Sequence, residues 1–291
     1  MIVHSLRENY RLKDILAVAN LPKATYMYWQ KRLDREPKDQ SLQEKILEIR
    51  AEHKDFGYRR IWGLLRQNGL LINKKRVQRI VQKLSLQVTS YTRKSRKYNS
   101  YKGTVGKVAP NRLRRRFETS VAHQKIVTDT TEFKYYERDI NGKVVLRKAY
   151  LDPFLDLYKR EAISYHLGKT PTAAGIMSAL EQAIKATADC KYRRTFHSDQ
   201  GWGCQMKAYQ KRLKKERIFQ SMSRKGTCLD NSVMENFFGL LKQEIYYGRT
   251  YTSFDELKKN IEQWIEYYNT KRIKQKLGWL SPVEYRLTNA A

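Results

Sequence analysis

From residue 119 onward the apolar runs change character in an order that few folds accept. "KIVTDTTEFKYY", "RKAYLDPFLDLY" and "REAISYHLG" follow one another, each short and rich in β-branched or aromatic residues, and predict three successive strands. "TAAGIMSALEQAIKATA" then switches to helical spacing. "YRRTFHSD" is a short strand, "MKAYQKRLKKER" a helix, "IFQSMS" a strand, and another helix begins near Asp230. Strands in series followed by alternating helix and strand predict an α/β unit: a mixed sheet with helices packed on it. A late helix, "SFDELKKNIEQWIEYYNTKR", carries Phe254, Leu257, Ile261, Trp264, Ile265 and Tyr268 at helical spacing.

The chain ahead of this unit is patterned differently. In "YRLKDILAVANLPKATYMYWQKRL" the apolar residues Leu12, Ile15, Leu16 and Ala19 precede a break at Asn20-Leu21-Pro22 and a second short helix. Residues 1–38 therefore predict a small all-α, helix-turn-helix-like unit. Residues 39–90 predict a second one: "SLQEKILEIRAEH", "GYRRIWGLLRQNG" and "NKKRVQRIVQKL" are three helices, the last with Asn73 as N-cap. Its Val77, Ile80, Val81 and Leu84 form a core stripe, which leaves Lys75, Arg76, Arg79 and Lys83 on other faces. A lone basic helix is usually just a solvated one. Two helices before it and an acid-free neighbourhood favour a major-groove reader. Residues 91–118 lack apolar periodicity and predict a basic linker to a core at 119–291.

Charge narrows the partner. The 59 Lys and Arg outnumber 29 Asp and Glu, for a net charge of +30, and none of the acids lies between Asp55 and Glu118, an interval holding eighteen basic residues. Such an excess repels itself unless a polyanion neutralises it, which points to nucleic acid. No run approaches the roughly 18 apolar residues of a membrane span, and "MIVHSLRENY" lacks the apolar stretch of a signal peptide. Cys190, Cys204 and Cys228 are odd in number and widely spaced, which disfavours a disulfide framework or a zinc site and suits a reducing cytoplasm.

Against this basic background three carboxylates stand where open sheets build sites. Asp129 follows the apolar start of the first strand, Asp199 ends the strand "TFHSD", and Glu235 lies near a helix start. Brought together they repel, so one or two divalent cations would be needed to hold them. Two such ions, about 4 Å apart, can activate a hydroxyl and stabilise the leaving oxygen of a phosphodiester. Each acid also has a plainer reading. Ser232-x-x-Glu235 fits a capping box, Asp199 a turn, and Asp129 a strand-end surface acid; Asp230 and Asn231 offer alternative caps for the same helix.

"VTDTTEF", "FHSDQG" and "LDNSVMENFFGLLKQE", followed by "YYNTKRIKQKLGWLSPVEYR", resemble the integrase core of bacterial insertion-sequence transposases, specifically the OrfB-type protein of the two-frame family. The resemblance extends over nearly the whole chain, because that family also carries paired helical DNA-binding units. It implies a ribonuclease-H-like fold and a DDE triad with thirty-five residues between the last two members, the number separating Asp199 from Glu235. Asp129, Asp199 and Glu235 take its catalytic and metal-binding positions. Lys242, two helical turns beyond Glu235, takes that of a basic residue facing DNA, while His197 and Gln200 shape the site. Cys204 departs from the aromatic residue usual there.

The activity so implied is strand cleavage by water at an element end, then strand transfer by the 3′-hydroxyl. An all-oxygen ligand set leads us to expect Mg²⁺, two ions per site, with Mn²⁺ substituting. The expected partners are element and target DNA, further copies of the chain, and an upstream-frame protein or fusion. A non-catalytic DNA-binding repressor, or a nuclease that cuts without joining, would share many of these features.

Overall fold

One long strand organises the sheet. In the computed structural model, which describes residues 2–32, 39–89 and 108–289, β3 (Val144–Asp156) presents one edge to β4 (Glu161–Gly168). Its other edge pairs antiparallel with both β2 (Thr131–Arg138) and β1 (Lys125–Thr128). Ile126 faces Asp156 and Thr131 faces Leu151, so β1 and β2 share one register and lie end to end.

The interruption between them has a chemical cause. Leu157 N–H donates to the Lys125 carbonyl, so odd-numbered residues of this edge occupy the hydrogen-bonded positions. In that register Asp129 falls opposite Pro153, which has no N–H to give. The single strand expected from "KIVTDTTEFKYY" is thus two, and the break falls at Asp129-Thr130.

Beyond β1 the sheet continues in parallel through β5 (Thr195–Ser198) and β6 (Phe219–Met222), giving six strands in the mixed sheet expected. Alternation along β1 serves both faces. Val127 joins a core with Leu151, Phe237, Leu241 and Trp264, from helices α10 (Ser232–Leu241) and α11 (Phe254–Thr270). Ile126 joins Phe154, Phe196, Leu180 and Leu213 on the other face, beneath α7 (Ala173–Ala186) and α9 (Lys207–Lys215). A short α8 (Trp202–Gln205) precedes α9, and α12 (Pro282–Thr288), opened by a Ser281/Glu284 capping box, ends the described chain. The core is thus a mixed sheet with helices on both faces. Among the described residues no helix is long and apolar enough to cross a membrane.

By their contacts the N-terminal helices fall into two compact units. One compact unit spans Met1–Lys54 and the other Asp55–Ala291. The first holds α1 (Ile2–Ser5), α2 (Leu12–Val18), α3 (Lys23–Gln30) and α4 (Gln40–Glu52), with Asn20 in left-handed conformation at the expected turn. The second includes α5 (Tyr58–Gln67) and α6 (Lys74–Lys83), which pack on each other. The reason for this division is Trp279. Its ring stands edge-on to Trp62 at 5.8 Å, its carbonyl accepts from Gln67 Nε2, and it lies over Gly63 so closely that a Cβ there would come within 2.4 Å.

The linker expected over 91–118 also ends early. Residues 90–107 lie outside the described residues, but 108–118 belong to the core: Leu113 is buried in it, and the N–H groups of Arg112 and Leu113 donate to Ser221 Oγ. Apolar Leu113 inside a run of arginines gave no periodic signal.

Candidate active site

Strands β1 and β5 run parallel with Lys125 beside Thr195 and Val127 beside His197. The same offset sets Asp129 level with Asp199, one strand spacing of about 4.8 Å away. Both project from the α10 face, because they continue the alternation of Val127 and His197. Backbone donors orient them alike: Thr130 N–H donates to Asp129 Oδ1 at 2.8 Å, and Gly201 N–H to Asp199 Oδ1 at 2.8 Å. A side chain at position 201 would collide with that carboxylate, since its Cβ would lie 2.8 Å from Oδ1.

Burial pushes the Asp129 carboxyl well above its ordinary range; the Asp199 charge adds to the shift, the Thr130 N–H opposes it, and Glu235 contributes further. Asp199 is raised too, chiefly by burial, against the pull of the Gly201 N–H. A carboxylate held beside another has its charged form destabilised, as Asp199 does to Asp129.

The third acid arrives on α10. Met234, Phe237, Phe238 and Leu241 anchor that helix in the core, which turns Glu235 to the exposed side of its first turn. No Ser232/Glu235 capping box forms. The helix begins at Ser232 itself, with Asn231 at the N-cap position and no side-chain cap bond, so Glu235 is not engaged in capping. Partial burial raises its carboxyl. Asp129 thus senses both other acids, although among the described residues no three His, Cys, Asp or Glu side chains converge closely enough to form a ready metal cage. The donor set itself, carboxylate oxygens with mutual repulsion, fits a hard divalent cation.

Asp230 does something else. Expected to help start the Glu235 helix, it lies in a 3₁₀ turn (Cys228–Asn231), and its buried carboxylate accepts from Arg115 Nε, Asn111 Nδ2, and the backbone N–H, Nε and Nη2 of Arg224. These donors hold its carboxyl far below the usual range. His197, buried beneath, bonds through its ring nitrogens to Ser221 Oγ, Ser223 Oγ and the Asp230 carbonyl, while Gln200 Nε2 donates to the Ser223 carbonyl. Both shape the loop between β6 and α10, in keeping with the sequence reading. Burial lowers the imidazole pKa, against the pull of the Asp230 carbonyl and charge.

Lys242 ends α10 and opens a π-helical turn (Lys242–Tyr246). Its Nζ donates to Thr131 Oγ1 at 2.6 Å and lies over Phe133, two and four residues beyond Asp129. The expected DNA-contact residues Lys75, Arg76, Arg79 and Lys83 are exposed on α6, while Val77, Ile80 and Val81 are buried. Burial pushes the Cys204 thiol up to about 12.

Two residues escaped the sequence reading. Thr130 Oγ1 donates to Asp152 Oδ1 at 2.6 Å, so Thr130 touches Asp129 through its backbone and a buried carboxylate through its side chain. The legible signal was Pro153, a strand breaker inside "LDPFLDLY".

With this geometry in place, likeness to known proteins can be assessed. Family models for an integrase core domain match residues 120–228 and 235–289, and one for an HTH-like domain matches 37–95. A protein of Escherichia coli (strain K12) named as transposase InsK of insertion sequence element IS150 is 42% identical over 286 residues, covering 98% of this chain and 96% of its own length. A transposase-like protein of Haemophilus influenzae is 46% identical over 215 residues, 74% of this chain and 93% of its own. Among solved structures, the catalytic domain of the Mos1 mariner transposase is similar at 17% identity and a TM-score of 0.41, over 50% of this chain and 70% of its own. The chain therefore belongs to the OrfB-type insertion-sequence transposases, polynucleotidyl transferases with an integrase core that act in DNA transposition.

Proposed function

We propose that Asp129, Asp199 and Glu235 form the DDE triad that cuts DNA at the ends of an insertion sequence and joins the freed 3′-hydroxyl to a target. The observation that carries this is the level placement of Asp129 and Asp199 at the ends of adjacent parallel strands, with Glu235 within electrostatic reach. Their oxygens would hold Mg²⁺, two ions in the full site, with Mn²⁺ as substitute. Such ions supply Lewis acidity toward the attacking hydroxyl and the leaving oxygen.

The chain's own groups do the rest. Thr130 and Gly201 N–H groups fix the orientation of the two aspartates, and Asp152 fixes Thr130. Lys242, held beside Thr131, supplies positive charge for a phosphate approaching Asp129. Lys75, Arg76, Arg79 and Lys83 on α6 engage DNA. The working assembly is a homo-oligomer on DNA, together with an upstream-frame segment, as the family resemblance suggests.

The test is a strand-transfer assay on a labelled element end with Mg²⁺, with Mn²⁺ and with chelator, with and without the upstream frame. Metal-dependent nicking followed by joined product supports the reading. Nicking without joining would identify a nuclease, and binding without nicking a repressor.

A further inference from the structure

At the other end of β1 from Asp129 lies a basic concavity. The turn after β3 (Leu157–Arg160) adjoins the start of β1, where Leu157 bonds Lys125, whereas Asp129 follows its end. This turn and the segment Lys274–Leu277 enclose a cavity of about 590 Å³ whose lining includes Lys159, Arg160, Lys274, Lys276 and Ser120, with Glu118 its only carboxylate among the described residues.

How the cations are held is informative. Lys159 Nζ lies between the rings of Tyr158 and Tyr285, at 4.8 and 4.6 Å. Lys274 Nζ donates to Tyr268 Oη at 2.9 Å and lies 4.2 Å from that ring's centre. Burial, with Arg272 and Arg160 alongside, holds its pKa well below the ordinary lysine range, so Lys159 and Lys276 carry the pocket's accessible charge. Aromatic faces position a cation without cancelling its charge, as a carboxylate would. The nearby acids are committed elsewhere: Glu161 to Arg286, Glu244 to Arg272, and Asp156 to the N–H groups of His123 and Tyr158. Arg160 adopts a left-handed backbone conformation, and its Nη1 is buried with no hydrogen-bond partner among the described residues. Arg160 stands in the wall between this pocket and a smaller cavity lined by Ser232, Asn236 and Tyr268, and its Nη1 is closed off from solvent.

We propose that this pocket is a phosphate subsite that seats an oxyanion of the DNA backbone, separate from the triad. It rests on the family's action on DNA and not on the assignment of Asp129, Asp199 and Glu235.

The experiment compares the full chain with a Lys159→Gln/Lys276→Gln variant, in chelator, by titration with a duplex of arbitrary sequence across a salt series. A control, Lys211→Gln/Lys214→Gln, removes the same charge from exposed positions on α9. The subsite variant should bind roughly tenfold more weakly, with a log K against log salt slope shallower by about 1 to 2, while the control changes little. Equal losses in subsite and control variants, or none in either, would overturn the proposal. Inorganic phosphate at fixed ionic strength distinguishes the source. If it stabilises wild type but not the Lys159→Gln/Lys276→Gln variant, and DNA binding is unaltered in both, the pocket takes free phosphate and the DNA assignment is wrong.

Discussion

Asp129 with Asp199 and Asp230 belong to one basic molecule, yet their surroundings are opposites. Asp230 is encircled by Arg115, Arg224 and Asn111, and its carboxyl is held far down. Asp129 and Asp199 receive one backbone N–H each, face each other, and are driven up. In a chain with 59 basic residues, two adjacent aspartates with no arginine bonded to them among the described residues are the more unusual arrangement. A neutralised carboxylate has finished its interactions and holds structure. A pair left in mutual repulsion retains its capacity to bind cations.

Substitution should separate the two centres most sharply in activity. Asp129→Asn, Asp199→Asn and Glu235→Gln should each cut strand cleavage and joining by about a thousandfold or more while DNA binding persists. Near-normal joining by Glu235→Gln, in a gel assay of labelled ends, would remove that residue from the triad. Asp230→Ala should act through the fold instead, costing roughly 2–3 kcal/mol as several charge-assisted bonds are lost, measurable by denaturant unfolding. A stable but inactive Asp230→Ala protein would move Asp230 into the chemistry.

A smaller loss is expected at the α5 contact. Gly63→Ala should cost about 1–3 kcal/mol, because Trp279 must yield to a Cβ. Unchanged stability would mean that the contact is loose.

The smallest effect has the opposite sign. Since the Asp129 carboxyl is raised in the folded chain, its contribution to stability is full below the unfolded carboxylate pKa and is lost as pH rises through the folded value. Without divalent cations, Asp129→Asn should therefore melt a few degrees above wild type at neutral pH, and the gap should close in acid. A lower melting temperature at neutral pH would show that Asp129 is stabilising as it stands.

Much of this was legible, for identifiable reasons. Alternation and helical spacing report which faces are buried, so the strands, α7, α9 and α11 follow from apolar periodicity. Asp129 and Asp199 stood out because each follows an apolar run at a strand end. The role of Asp230 was hidden, since its partners Asn111 and Arg115 lie more than a hundred residues away in a stretch whose only evident property was charge. The boundary at residue 54 was hidden similarly. Amphipathic α5 shows that one face is buried, but not that Trp279 covers Gly63. Periodicity gives the face and never the partner.

Trp279 gives the molecule a fixed gauge. With α5 seated on it and α6 packed on α5, the basic helix belongs to the same compact unit as the catalytic sheet. On the roles proposed for α6 and Asp129, the stretch of duplex between the base pairs read and the bond cut would be measured out by protein dimensions. An insertion sequence carrying such an enzyme would tolerate altered letters at its ends more readily than an added or missing base pair between them.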